Sequence, residues 1–249
     1  VSERARRRLI VALDFDTLAP AFDLARSLSG LAGMFKIGSQ LFTSEGPRAV
    51  EKLARLGPGI FLDLKFHDIP NTVAGAVSAA AWLRGVRLMN VHALGGLEMM
   101  RAAAQALADR GRGRSDRVKL LAVTVLTSLD AAALRQVGLA GRPSQRAIRL
   151  AQLAKRAGLD GVVASAHEAR RIRRTCGPRF LIVAPGVRPG GPASARAGDD
   201  QVRVATPADA IRAGADYLVV GRPITAARDP RVAAAAIVEE IAQVQRRRI

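Results

Sequence analysis

Eight short apolar runs recur along the chain, and the segments between them carry apolar residues at helical spacing. The runs are LIVALD (9–14), MFKIG (34–38), IFLDLK (60–65), RLMNVH (87–92), KLLAVTVLT (119–127), GVVAS (161–165), FLIVAPG (180–186) and DYLVVG (216–221). The spacing predicts helices over 21–28, 46–56, 73–83, 97–107, 144–157, 166–173, 207–213 and 232–244. Strands apolar on both faces, alternating with amphipathic helices, describe a parallel sheet covered by helices. Eight such units in 249 residues match the count and size of a (β/α)8 TIM barrel, a single α/β domain over 1–249. A doubly wound open sheet normally has fewer strands and a glycine-rich phosphate loop after the first. Here the first strand runs into LDFDT, which has no glycine.

Two stretches break the regular spacing. Residues 128–142 hold an extra short helix, DAAALRQVG, before Pro143 and Ser144 open the next one. Residues 187–204, VRPGGPASARAGDDQVRV, have no apolar periodicity, so they are expected to be either disordered or an active-site lid.

Polar and special residues collect where the apolar runs stop. The first run ends in Asp14, the second contains Lys36, the third ends Asp63-Leu64-Lys65 and the fourth Asn90-Val91-His92. The fifth ends in Thr127-Ser128, the sixth in Ser165, the seventh in Pro185-Gly186 and the eighth in Gly221-Arg222. In a barrel these ends converge on one mouth, where the βα-loops build active sites. Strand side chains alternate, so Asp63 and Lys65 share one face while Leu62 and Leu64 pack under a helix on the other. A structural ion pair at a strand end is the plainer alternative. His67 to Pro70 then form a turn, and Asn71 or Thr72 is expected to cap the following helix. After Gly221-Arg222, Pro223-Ile224-Thr225 suits a short extra helix, and the loops after strands seven and eight with such a helix form a phosphate site.

Composition narrows the classes. Apolar residues make up 49% and aromatic residues 4%, so the core is built from aliphatic side chains. The single Cys176 excludes an intrachain disulfide framework and a cysteine metal site within this chain. No apolar run approaches the roughly 18 residues of a membrane helix, and VSERARRRLIVALD lacks the features of a secretory signal. A cytoplasmic protein without a membrane partner is expected. The net charge of +18 raises nucleic acid as a partner, but only five of the 39 basic residues are lysine and the charge is spread over many segments. With few aromatics to stack bases, no nucleic-acid partner is expected, and the basic field suits an anionic small substrate.

VALDFDT (11–17), FKIG (35–38), FLDLKFHDIPNTV (61–73), NVHALGG (90–96), VLTS (125–128), APGVRP (184–189) and YLVVGRPIT (217–225) together resemble the orotidine 5'-phosphate decarboxylase family of the bacterial type. The likeness spans residues 9 to 240, and DLKFHDIPNTV is its most specific part, whereas GRPIT is common to many phosphate-binding barrels. It implies a metal-independent, cofactor-free conversion of orotidine 5'-monophosphate to UMP and CO2. It implies a catalytic array of Lys36, Asp63, Lys65 and Asp68, with Asp68 reaching into the partner's site in a homodimer. Asp14 would bind the ribose, Ile69 and Thr72 would act across the interface, and Thr127 and Ser128 would meet the pyrimidine. Gln201, Gly221 and Arg222 would hold the phosphate, Pro185 would also contact the substrate, and Arg188 falls in the family's mobile phosphate loop.

That reaction leaves charge on C6, a carbon with no adjacent electron sink, so a cationic proton donor is needed there. Lys65 is the candidate, with Asp63 beside the departing carboxylate. A sister barrel that decarboxylates a β-keto sugar acid phosphate shares the Asp-x-Lys-x-x-Asp pattern. Its chemistry uses Mg²⁺ and an acidic residue near the end of the second strand, where this chain has Lys36. A non-enzymatic dimeric binding barrel is the remaining alternative.

Overall fold

The computed structural model describes residues 2–111, 117–190 and 204–246. Eight parallel strands close into a barrel in sequence order, with β8 pairing back onto β1. They are β1 (Leu9–Ala12), β2 (Met34–Gly38), β3 (Gly59–Phe66), β4 (Val86–His92), β5 (Lys119–Val123), β6 (Gly161–Val163), β7 (Leu181–Ala184) and β8 (Tyr217–Val220). The helices in the first half are α1 (Glu3–Arg6), α2 (Leu18–Leu28), α3 (Ser39–Glu45), α4 (Pro47–Ala54), α5 (Pro70–Ala80) and α6 (Gly96–Gly111). The second half carries α7 (Ala131–Gln136), α8 (Pro143–Arg156), α9 (Ala166–Cys176), α10 (Pro207–Ala213), α11 (Arg222–Thr225) and α12 (Pro230–Arg246).

Each expected strand is present, but β1 and β5 to β8 stop short of the polar residues that end their runs. Those residues stand in the loops at the C-terminal mouth. The short helices expected after β5 and β8 are α7 and α11. Three elements were not expected: α1, α3, and a 3-10 turn at Ala93–Gly95. In α3 only Leu41 is buried, which leaves no apolar periodicity to read. The expected cap at Asn71 or Thr72 is corrected. α5 begins at Pro70 with Ile69 as its N-cap residue and no side-chain cap bond. Proline at the first helical position has the right φ and no N–H to satisfy, while Asp68 Oδ1 accepts the Ile69 N–H at 2.6 Å.

Two apolar bodies support the mouth. The larger lies between sheet and helices and includes Leu62, with Leu64 packed against it. The smaller fills the barrel axis with Ile10, Ala12, Met34, Phe61, Leu88, Leu121, Val183 and Val219. Side chains repeat faces every second residue along a strand. Lys36, Asp63 and Asn90 follow Met34, Phe61 and Leu88 by two positions each, so they form the next inward layer above an apolar floor. At the opposite end, Asp160 accepts from Arg117, Lys119 and Leu120 N–H, and Asp216 from Arg173 and Ile182 N–H. These carboxylates fasten the starts of neighbouring strands, the end of the barrel that serves stability.

Candidate active site

The mouth holds a cavity of about 330 Å³ lined by Asp14, Lys36, Asp63, Lys65, Thr127, Ser128, Pro185, Gly186, Arg188, Gly221 and Arg222 among others. Apolar side chains close its floor and one wall, including Phe61, Val123, Val125, Leu126 and Val219. A small-molecule site of this kind is mostly apolar, with a few polar groups that fix orientation.

Its charges form one chain. Lys36 Nζ is 2.9 Å from Asp14 Oδ1 and 3.4 Å from Asp63 Oδ2, and Lys65 Nζ is 2.8 Å from Asp63 Oδ1. Lys36 and Asp63 are buried, while Asp14 and Lys65 open toward the cavity. Burial by itself pushes the Lys36 ammonium down. The fields of Asp63 and then Asp14, with their hydrogen bonds, outweigh it and hold its pKa above the ordinary lysine value. Lys36 is therefore held as a cation with a carboxylate on each side.

Asp63 and Lys65 share the mouth, but not by simple alternation. The ladder between β3 and β4 is interrupted between Leu62 and Phe66. Within that interval Lys65 has φ +52°, the only positive φ at a non-glycine position among the described residues. A lysine in the left-handed region is strained and persists only where its surroundings enforce it, a pattern that clusters at active sites. Asn90, a polar strand end with no role assigned from sequence, is fully buried and bonded to both Asp63 and the Lys65 N–H.

Behind Lys65, the rings of His67 and His92 stack with centroids 5.3 Å apart. Burial, followed by the charges of His67 and Lys65, pushes His92 down to about 4. Its Nδ1 accepts the Leu94 N–H at 3.3 Å, which leaves the ring proton on Nε2.

Asp68, Ile69 and Thr72 are exposed and do not line their own chain's cavity. Gln201 lies outside the described residues, as does most of the expected 187–204 loop. The two ends of that loop are tied together: Val187 bridges Ala205, and the Arg188 N–H donates to Ala205 O at 2.9 Å. Among the described residues no group of three or more His, Cys, Asp or Glu is placed to hold a metal ion. Within the same limits, no helix is long and apolar enough to cross a membrane.

A closed parallel barrel whose mouth alternates two lysines with two carboxylates, beside an arginine at the start of an extra helix after β8, has the build of an enzyme acting on a phosphorylated small molecule. The profile of the orotidine 5'-phosphate decarboxylase / HUMPS family matches residues 7–237, and the chain belongs to that family. It is 56% identical over 235 residues to an orotidine 5'-phosphate decarboxylase of Halorhodospira halophila, covering 94% of this chain and 96% of the relative. It is 53% identical over 239 residues to the enzyme of that name from Trichlorobacter lovleyi, covering 96% and 97%. The crystal structure of orotidine 5'-phosphate decarboxylase from Lactobacillus acidophilus superposes with a TM-score of 0.78 at 39% identity, over 94% of this chain and 99% of that one.

Proposed function

We propose that the protein decarboxylates orotidine 5'-monophosphate to UMP and CO2, without a metal or organic cofactor, as a cytoplasmic homodimer. The observation that carries this reading is the continuous Asp14–Lys36–Asp63–Lys65 chain of charges above an apolar floor. In this reading the 5'-phosphate meets Gly221 and Arg222, with Arg188 and Gln201 closing on it. The ribose hydroxyls meet Asp14, and the pyrimidine lies against Thr127, Ser128 and Pro185. The substrate carboxylate at C6 then faces Asp63.

Two like charges about 4 Å apart repel by roughly 4 kcal/mol at an effective dielectric of 20. That repulsion vanishes as CO2 leaves. The electron pair remains on C6, where the Lys65 ammonium first stabilises it and then protonates it. Lys36 fixes the Asp63 carboxylate from the other side, so Asp63 does not swing away from the incoming carboxylate. Binding energy at the phosphate, remote from C6, supports this arrangement.

The exposure of Asp68, Ile69 and Thr72 outside their own mouth supports a site completed by a second copy. Ile69 is 66% exposed and Leu94 44%, and these rim hydrophobics suit an interface.

The decisive assay follows loss of substrate ultraviolet absorbance by the purified protein in EDTA. Turnover is expected. Its absence, together with activity on a keto-sugar phosphate in Mg²⁺, would overturn the reading. Lys36 argues against that second chemistry, because its ammonium occupies the position where a divalent cation would need a carboxylate.

A further inference from the structure

We propose that Asn90 is a positioning residue for the reaction, setting the backbone of Lys65 and the carboxylate of Asp63 together through one buried amide. The inference rests on the decarboxylase reading for its kinetic consequence, but its structural basis stands apart from it. In β3 and β4, Leu62 pairs with Met89 and pairing resumes only at Phe66 with Val91. Asp63, Leu64 and Lys65 therefore stand opposite Asn90 alone. A bulge of this kind re-aims side chains next to active sites, at the cost of ladder hydrogen bonds.

The Asn90 side chain replaces what the ladder loses. Its Oδ1 accepts the Lys65 N–H at 2.8 Å, and its Nδ2 donates to Asp63 Oδ1 at 2.7 Å. The orientation of the amide is forced by its partners. A backbone N–H only donates and a carboxylate only accepts, so a flipped amide would face each partner with the wrong group. Asn90 is 0% exposed, and both partners are within hydrogen-bond distance of its amide. The oxygen held by Nδ2 is the same Asp63 Oδ1 that Lys65 Nζ approaches at 2.8 Å. One side chain thus holds the residue with φ +52° and the carboxylate to which that residue's ammonium is paired.

Aspartate is the informative replacement. It keeps shape and the acceptor for the Lys65 N–H, but presents an oxygen to Asp63 where a donor stood. Leucine keeps the volume and loses both bonds. Alanine loses both and leaves a gap.

The test has two arms. In the first, Asn90→Ala and Asn90→Asp are compared with wild type for orotidine 5'-monophosphate turnover and for UMP affinity. Folded variants are expected to bind UMP within about threefold of wild type while kcat falls at least 100-fold, since misplacement near 1 Å costs about that factor. A folded variant that loses stability but keeps kcat within threefold would make Asn90 a structural residue only and overturn the proposal. Asn90→Leu serves if alanine fails to fold.

The second arm needs no substrate. Asn90→Ala is measured by urea denaturation in wild type and in a Lys65→Gly background. Glycine adopts positive φ without strain, so in that background Asn90→Ala releases none, whereas in wild type the relaxing Lys65 backbone offsets part of its cost. The loss in denaturation midpoint on Asn90→Ala is therefore expected to be larger in the Lys65→Gly background. An equal loss in both backgrounds would show that Asn90 does not enforce the Lys65 backbone. An inactive wild type would refute the decarboxylase reading and leave this second arm to decide the role of Asn90.

Discussion

Lys36 and Asp14, 22 residues apart, meet across the mouth of the barrel, the ammonium donating to Asp14 Oδ1 at 2.9 Å. Asp14 was expected at the ribose and Lys36 in the catalytic array. In the proposed reading their pairing joins the two roles, since the group assigned to the sugar also holds the cation that contacts Asp63. Linkage follows from the raised pKa of Lys36. A lysine whose folded pKa lies above its unfolded value contributes stability that is complete below the ordinary lysine range near 10.5. The contribution is lost as pH rises through the folded value. Lys36→Met is therefore expected to destabilise by about 3 kcal/mol near neutral pH, the cost of breaking a buried pair. The gap between wild type and variant should narrow above about pH 10.5. Urea denaturation at pH 7, 9 and 11 checks this, and a gap independent of pH would remove the pairing from the stability of the fold.

Gly38 supplies the room for that pair. A Cβ built on it would lie 2.8 Å from Lys36 Nζ and 3.0 Å from Asp14 Oδ1. Its backbone, φ −92° and ψ −177°, is open to any residue, so only the crowding matters. The atoms in the way are the ends of two side chains, which yield before the strand does. Gly38→Ala should leave the thermal midpoint within a few degrees of wild type and lower kcat at least tenfold through displacement of Lys36. Unchanged kcat would mean that the position of Lys36 is not critical.

Much of this arrangement was open to reading from the chain, and what escaped did so for physical reasons. Strands buried on both faces leave unbroken apolar runs, so all eight were visible, and with them the ring of polar ends. The bulge at residues 63–65 was not visible, because Asp-Leu-Lys fits strict alternation and only the register against β4 shows otherwise. The positive φ of Lys65 is enforced by Asn90, a residue 25 positions away, and no local pattern signals it. The start of α5 was misplaced by two to three residues because polar Asn71 and Thr72 look like caps, whereas the chain already enters the helix at Pro70 with Ile69 as its N-cap. Helix α3 escaped because it buries a single leucine.

Arg222 opens α11 directly after β8 and lines the cavity. Its guanidinium suits a phosphate bidentately, and a hydrogen bond to a charged group contributes about 1.5–3 kcal/mol. Arg222→Ala should raise KM roughly 10- to 100-fold, with a smaller effect on kcat. Steady-state kinetics with orotidine 5'-monophosphate decides. An unchanged KM would place the phosphate elsewhere.

The His67–His92 stack predicts an acid-side dependence of stability. Burial, with the charges of His67 and Lys65, depresses His92 to about 4 in the folded chain from an unperturbed 6.5. A histidine with a depressed folded pKa contributes stability that is fully present above 6.5 and is lost as pH falls toward its folded value, because the unfolded chain binds the proton first. Wild type should therefore lose urea resistance more steeply between pH 6.5 and 4 than His92→Gln, which has no proton to take up. Parallel pH dependences would show that His92 titrates alike in both states.

The last prediction concerns assembly. Asp68 follows Lys65 by three residues, yet it is exposed, turned onto the Ile69 N–H at 2.6 Å, and absent from the lining of its own mouth. Ile69 and Thr72 share that outward position. If these three residues serve the partner's site, a two-fold dimer has two composite mouths, each with Lys65 from one chain and Asp68 from the other. Lys65→Ala and Asp68→Ala homodimers should each be nearly inactive. In a heterodimer of the two, one mouth receives both defects and the other is intact. Statistical exchange of an equal mixture gives about 50% heterodimer, so activity should recover to about one quarter of wild type per total site. Subunit exchange is verified by mass-tagged chains, and activity is followed over the same time course. Verified exchange with no recovery would mean that Asp68 acts in its own mouth, through a movement of the His67–Pro70 turn, or not at all. Recovery that tracks the heterodimer fraction leaves the partner as the only source of the missing carboxylate.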